Sequence, residues 1–156
     1  MNRKTLWGVL ILVNLSWVAL SSCSKEDDVK PAVPKIELIH LGTHDSPDDR
    51  IIYRDEVHFE AKITAEALIR KINLEIIQKS GYGTYSFSKE YTGDYAGQKE
   101  IAAFHDHPTL AEDAPIGDYL FRLTVTDQQG QVASIEEDVT VNVGEGSGEH
   151  EHEHEH

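Results

Sequence analysis

An antiparallel all-β sandwich of about seven strands is predicted by three observations. Apolar and polar residues alternate with period two through most of the chain from Lys35 onward. Turns bearing Gly, Pro and Asp punctuate that alternation, and no stretch carries a convincing helical repeat.

The strands follow in order. Ile36 and Leu38 alternate with Glu37, giving a first strand that ends near His40, and residues 42–50 read as a polar loop. Val57, Phe59, Ala61 and Ile63 alternate with Glu56, His58, Glu60 and Lys62, the clearest amphipathic strand. Residues 65–68 could form one helical turn, too short to alter the class. Ile72, Leu74 and Ile76 alternate with Lys71, Asn73 and Glu75 to give a third strand. Residues 80–97 hold several glycines with Tyr82, Tyr85, Tyr91 and Tyr95; a short strand is expected at 85–91. Those tyrosines either touch sugars or proteins from exposed loops or pack over the sheet edge, and packing is the expectation. Residues 100–107 form another strand, closed by Pro108.

Pro115 and Gly117 make a turn into the longest apolar alternation, Tyr119, Phe121, Leu123 and Val125. Tyr119 stands where a tyrosine corner would, its hydroxyl placed to tie the preceding turn. Residues 127–130 are a hairpin turn with Gly130 at the position needing positive φ. The last strand spans residues 132–143. Glu136, Glu137 and Asp138 interrupt its alternation and predict a bulge or two short pieces.

The N-terminus has another character. Asn2, Arg3 and Lys4 precede an apolar run over residues 6–20, which ends in Leu20, Ser21, Ser22 and Cys23. A basic start, a short apolar core and small residues at the cut make a secretory signal, and the run is short for a membrane span. Cys23, the only cysteine, has no disulfide partner within the chain. The four residues 20–23 resemble the lipobox of bacterial lipoproteins, which implies that Cys23 is acylated and that residues 1–22 are removed. Glu26, Asp27 and Asp28 then give an acidic, apolar-poor tether stiffened by Pro31 and Pro34. That run looks like the surface-export signal of Bacteroidetes lipoproteins. An outer-membrane lipid anchor is therefore expected, at the cell surface, with the periplasmic face as the alternative. The expected organisation is leader 1–22, tether 23–34, sandwich 35–143 and tail 144–156.

The formal charge is −14, and loss of the leader, which holds Arg3 and Lys4 and no acidic residue, deepens it by two. Such a chain does not suit nucleic acid; it favours cations. The nine histidines give that preference a chemistry. His150, His152, His154 and His156 alternate with glutamates behind a Gly-rich linker, a segment that cannot build a core and is expected to be disordered. Imidazoles suit zinc, nickel or copper. An engineered purification tag or a plain solubilising tail has the same composition; the intact leader favours a natural precursor. His105 and His107 are two apart on a strand, so they share a face at roughly 6.6 Å along the chain. With Phe104 inward, both point outward, as does His58 on its own strand. His40 and His44 flank the first loop. Were the His58 and His105 strands neighbours, a three-His or three-His-plus-carboxylate site could form. Asp45, Asp48 and Asp49 match no calcium loop and read as an acidic turn.

The turn Ala114-Pro115-x-Gly117-x-Tyr119 and the Val125-Thr126-Asp127-x-x-Gly130 finish resemble the last hairpin of immunoglobulin-like modules of the cadherin or fibronectin III kind. With no Cys pair, and with Trp7 and Trp17 both in the leader, the antibody type is excluded. Together with Cys23, its acidic follower and Phe104-His105-Asp106-His107, these residues resemble the Bacteroidetes lipoprotein family DUF4625. The resemblance implies an immunoglobulin-like cell-envelope domain and supplies no activity. No nucleophile motif, phosphate loop or diagnostic carboxylate pair is present, so an enzyme is not expected. The expected function is capture of divalent metal, zinc first, with delivery to an outer-membrane receptor as its use. The alternative is a non-catalytic adhesion or carbohydrate- or protein-binding module.

Overall fold

The computed structural model describes residues 32–80 and 84–144. The leader, Cys23 and the four tail histidines lie outside the described residues. Eight strands form: β1 (Lys35–Gly42), β2 (Ile51–Tyr53), β3 (His58–Thr64), β4 (Ile69–Gln78), β5 (Ser86–Tyr91), β6 (Glu100–Asp106), β7 (Gly117–Asp127) and β8 (Val132–Asn142). They make a three-stranded sheet, β1-β3-β6, and a five-stranded sheet, β2-β8-β7-β4-β5. The fold is an immunoglobulin-like β-sandwich. Among the described residues no helix is long and apolar enough to cross a membrane.

The period-two alternation delivers the core. Phe59, Ala61 and Ile63 of β3, Ile72, Leu74 and Ile76 of β4, and Tyr119, Phe121, Leu123 and Val125 of β7 are all fully buried. Phe59 meets Phe121 across the two sheets with ring centroids 5.3 Å apart. Tyr119 is the tyrosine corner: its hydroxyl donates to the Pro115 carbonyl at 2.7 Å. The hairpin turn forms as expected, with Gly130 at φ 82°. The buried Asp127 carboxylate closes it by accepting the backbone N–H groups of Gln129 at 3.0 Å and Gln131 at 2.8 Å.

Three expectations are corrected. The sandwich is not wholly antiparallel, because β2 runs parallel to β8, pairing Ile51 with Thr140 through Tyr53 with Asn142. Three residues are too few to show a period, which is why β2 left no signal. The first strand also runs past His40 to Gly42. Lastly, β8 is unbroken: it pairs with β7 from Gly117↔Val141 to Thr126↔Val132 with no register shift. Its acidic triplet is met by cations. Glu136 accepts from Arg122 at 2.7 Å, Glu137 from Arg50 at 3.4 Å and Asp138 from Lys79 at 2.7 Å.

The larger sheet has one register shift, between Ile69 and Lys71 of β4 where it pairs with β7. The two shifts that bear on the histidines lie in the smaller sheet, where no local sequence signal announces them. In β1 the register shifts between Leu38 and His40. In the β3–β6 pair it shifts between Ala61 and Ile63, where Ala61 faces Phe104 and Ile63 faces Ile101. Each shift reverses which parity faces the core. Beyond the first, Leu41 is buried and His40 turns outward. Beyond the second, Phe104 is buried and His105 is exposed.

Candidate metal centre

Three strands of the smaller sheet end at one edge, and each brings imidazole there. The register sets Gly42 of β1 opposite His58, the first residue of β3, and His44 follows two residues into the loop. On the other side Glu60 faces His105 and Phe59 faces Asp106, so continuation of that register sets His107 across from His58. The neighbouring of β3 and β6 is the adjacency on which a three-His site depended.

The rings stack closely. His44 lies over His58 with centroids 4.5 Å apart and planes 15° apart. His107 stands 4.5 Å from His44 and 5.1 Å from His58. One ligand atom from each of His44, His58 and His107 lies within 4.8 Å of the others, the one such group among the described residues. Donors on a tetrahedral zinc with bonds of about 2.0–2.1 Å sit about 3.3 Å apart. A closure of at most about 1.5 Å, within the reach of side-chain rotation, would let the three act as a facial ligand set. Three imidazoles with no thiolate suit zinc, copper or nickel and do not suit calcium or magnesium.

His105 stands at the margin, its ring 5.2 Å from that of His58 and 4.5 Å from that of His107, edge-on to both. His40 is 6.3 Å from His58. Its Nδ1 is 3.0 Å from the Asp48 carboxylate, which leaves Nε2 as its free donor. Asp49 is likewise used locally, accepting from the Ile51 N–H at 3.1 Å.

The loop that carries His44 is fixed at both ends. The Leu41 N–H donates to the Pro47 carbonyl at 2.7 Å, and the His44 N–H donates to the Glu56 carboxylate at 2.8 Å. Gly42 permits the close return, since a Cβ there would stand 2.2 Å from the Ser46 carbonyl oxygen. His107 is placed from the other side. Asp106 accepts from Tyr91 Oη at 2.5 Å and from Lys89 Nζ at 2.7 Å, tying β6 to β5 of the opposite sheet. Burial acts to raise the Asp106 carboxyl, but the hydrogen bonds from Lys89, Tyr91 and the His107 backbone outweigh it and hold its pKa below the ordinary value.

His58 is 9% exposed, and its Nδ1 is buried with no hydrogen-bond partner among the described residues. Burial lowers its pKa first, then the charge that His44 would carry, with His107 and His105 adding to it; the Thr43 backbone works the other way. The pKa of His107 is lowered by burial and by His105 and His44, against Asp106 and Glu56. Both rings therefore favour the neutral form that ligates a metal.

Of the residues expected to form the site, His58 and His107 converge and His105 stands beside them. His58 lies on the outer face of its strand, as alternation predicts, yet it is covered by the neighbouring rings. His44 was legible only as a loop histidine; nothing in residue spacing shows that a loop folds back onto the next strand. The tail residues His150, His152, His154 and His156 lie outside the described residues. Of the four tyrosines expected on the Gly-rich stretch, Tyr82 lies outside the described residues and the other three are engaged within the fold. Tyr91 is buried, Tyr95 packs 5.1 Å from Phe104, and Tyr85 Oη accepts the Ala111 N–H at 2.9 Å.

The family described as Domain of unknown function (DUF4625) matches residues 21–142. Comparison with the curated proteins gives no match. Among solved structures, the chain is similar to Spo0M, the sporulation control protein from Bacillus subtilis. The identity is 20%, over 72% of this chain and 51% of that one, with a TM-score of 0.45. It is similar also to a superoxide reductase (neelaredoxin) from Ignicoccus hospitalis at 12% identity, over 72% of this chain and 82% of that one, with a TM-score of 0.36. The chain thus spans about half the length of Spo0M. Both likenesses are too distant to bear on function.

Proposed function

The chain belongs to the DUF4625 family, and we propose that the β-sandwich of this member binds a divalent transition-metal ion, zinc first, through His44, His58 and His107. One observation carries this reading: their ligand atoms gather within 4.8 Å at the meeting point of three strands. The buried, unpartnered Nδ1 of His58 supports it, because an unsatisfied buried polar atom costs about 1–3 kcal/mol unless a ligand relieves it. The acidic surface supports it as well, raising the local concentration of cations. In this reading Cys23 carries a lipid that holds the protein at the outer membrane, on the cell surface. The tail imidazoles of His150, His152, His154 and His156 take up metal with poor selectivity, and the ordered centre holds it for capture or for delivery to a receptor. The function is binding, not catalysis.

Calorimetric titration with zinc tests the ordered centre, using a full chain whose four tail histidines are replaced by Gln so that only the sandwich can respond. We expect one zinc per chain. His107→Ala and His58→Gln should each weaken it by at least the roughly 10- to 100-fold typical of losing a mere supporting contact. Titrations that look alike with and without those substitutions would rule the centre out.

A further inference from the structure

We propose that His105 is the fourth ligand of the centre, closing the ion inside four imidazoles with no position left for water or substrate. The inference rests on the reading above and adds the coordination number, which decides what chemistry the site can take.

Ring spacing carries it. A ligating imidazole sets its centroid about 3.2 Å from a zinc ion, so two such rings at the tetrahedral angle stand about 5.2 Å apart. The His105 ring is 5.2 Å from that of His58 and 4.5 Å from that of His107. The three ligands of the centre are spaced alike, at 4.5, 4.5 and 5.1 Å. His105 thus keeps ligand spacing from two of the three. Residues two apart on a strand are separated by roughly 6.6 Å along the chain. The His105 and His107 rings nevertheless close to 4.5 Å, so the pair leans together as chelating side chains do. Strand pairing already places the backbone, with Glu60 of β3 facing His105 of β6. That leaves side-chain rotation to bring a ring nitrogen to the ion.

Rival donors are less well placed. His105 is exposed, and among the described residues its ring makes no hydrogen bond or ion pair, so both nitrogens are available. His40 is farther, 6.3 Å from His58, and its Nδ1 is taken by Asp48. Asp106 is engaged by Tyr91 and Lys89. One Glu56 oxygen accepts the His44 N–H. Glu60 is the remaining rival, since it faces His105 in the register.

Closure fixes the chemistry. A zinc site that works on water or substrate keeps one position open, whereas a closed four-ligand site holds its ion. His105 displaces the last water from the ion, neutral donor for neutral donor, so the site keeps the full dication charge. The carboxylates of Asp106 and Glu56, whose fields reach His107, offset it.

Cobalt(II) is the probe, since its visible absorption reports coordination number, and azide is the competitor that enters an open position. The parent is the full chain with its four tail histidines replaced by Gln. We expect its cobalt spectrum to ignore millimolar azide. His105→Gln, at an exposed position outside the core, should bind cobalt at least roughly 10-fold more weakly. It should also respond to azide and regain the parent spectrum when free imidazole is added. An azide response in the parent, or equal affinity and spectrum in His105→Gln, overturns the fourth ligand and leaves the three-histidine centre standing. So does a Glu60→Gln chain that opens to azide while His105→Gln does not. A cobalt spectrum absent from the parent, or surviving unchanged in a His58→Gln/His107→Gln chain, removes the centre and the inference together.

Discussion

His58 shows how one residue can be read correctly and still surprise. Alternation sets it on the outer face of β3, yet the imidazoles of two other segments cover it. Its lowered pKa has a consequence for the metal-free domain. As pH falls through about 6.5 the unfolded chain takes a proton on this ring while the folded chain resists. Stability present above that range should decline as pH drops through the folded value. Urea midpoints measured from pH 7.5 to 5 should follow this course, and His58→Gln should flatten it; identical slopes would argue that the ring is solvated. Tyr119 is a simpler case. Tyr119→Phe keeps the buried ring and removes the bond to the Pro115 carbonyl. A loss of about 1 kcal/mol is expected by chemical denaturation, and an unchanged midpoint would deny the corner its role.

Among the elements, the loop after β1 decides whether a centre exists. Gly42 lets the backbone turn back so tightly that a Cβ would collide with the Ser46 carbonyl, and a backbone atom cannot swing aside. Gly42→Ala should cost about 1–3 kcal/mol, as overpacking does, and should weaken zinc because His44 moves with the loop. Wild-type zinc affinity in that variant would mean that His44 is not a ligand. The bulge in β1 matters equally. Without the shift between Leu38 and His40, the parity of Ile36 and Leu38 would aim His40 at the core.

For the molecule as a whole, a site assembled from three segments exists only in the folded chain, so a metal ion held at the proposed centre would stabilise the fold. At zinc one hundred times its dissociation constant the gain is about 2.7 kcal/mol, which raises the melting temperature of a domain of this size by roughly 10 °C. Differential scanning calorimetry with and without zinc checks this, and a melting temperature indifferent to zinc would contradict it. The strain of packing a chain of charge −14 is managed by pairing rather than by irregularity. Arg122, Arg50 and Lys79 face the acidic triplet of β8, and the strand stays whole.

The sandwich was legible in the sequence because alternation is a local signal. Each of Phe59, Leu74 and Phe121 declares its facing by its neighbours two residues away, and Pro115, Gly117 and Gly130 declare the turns. Two of the three histidines of the centre were legible in the same way, since His58 and His107, with His105 beside them, sit on the parity opposite the core. Which strands would be neighbours, where the register would slip and that His44 would fold over His58 were decided only in three dimensions. Strand pairing and loop return depend on contacts between residues far apart in the chain, and no short window of sequence contains both partners.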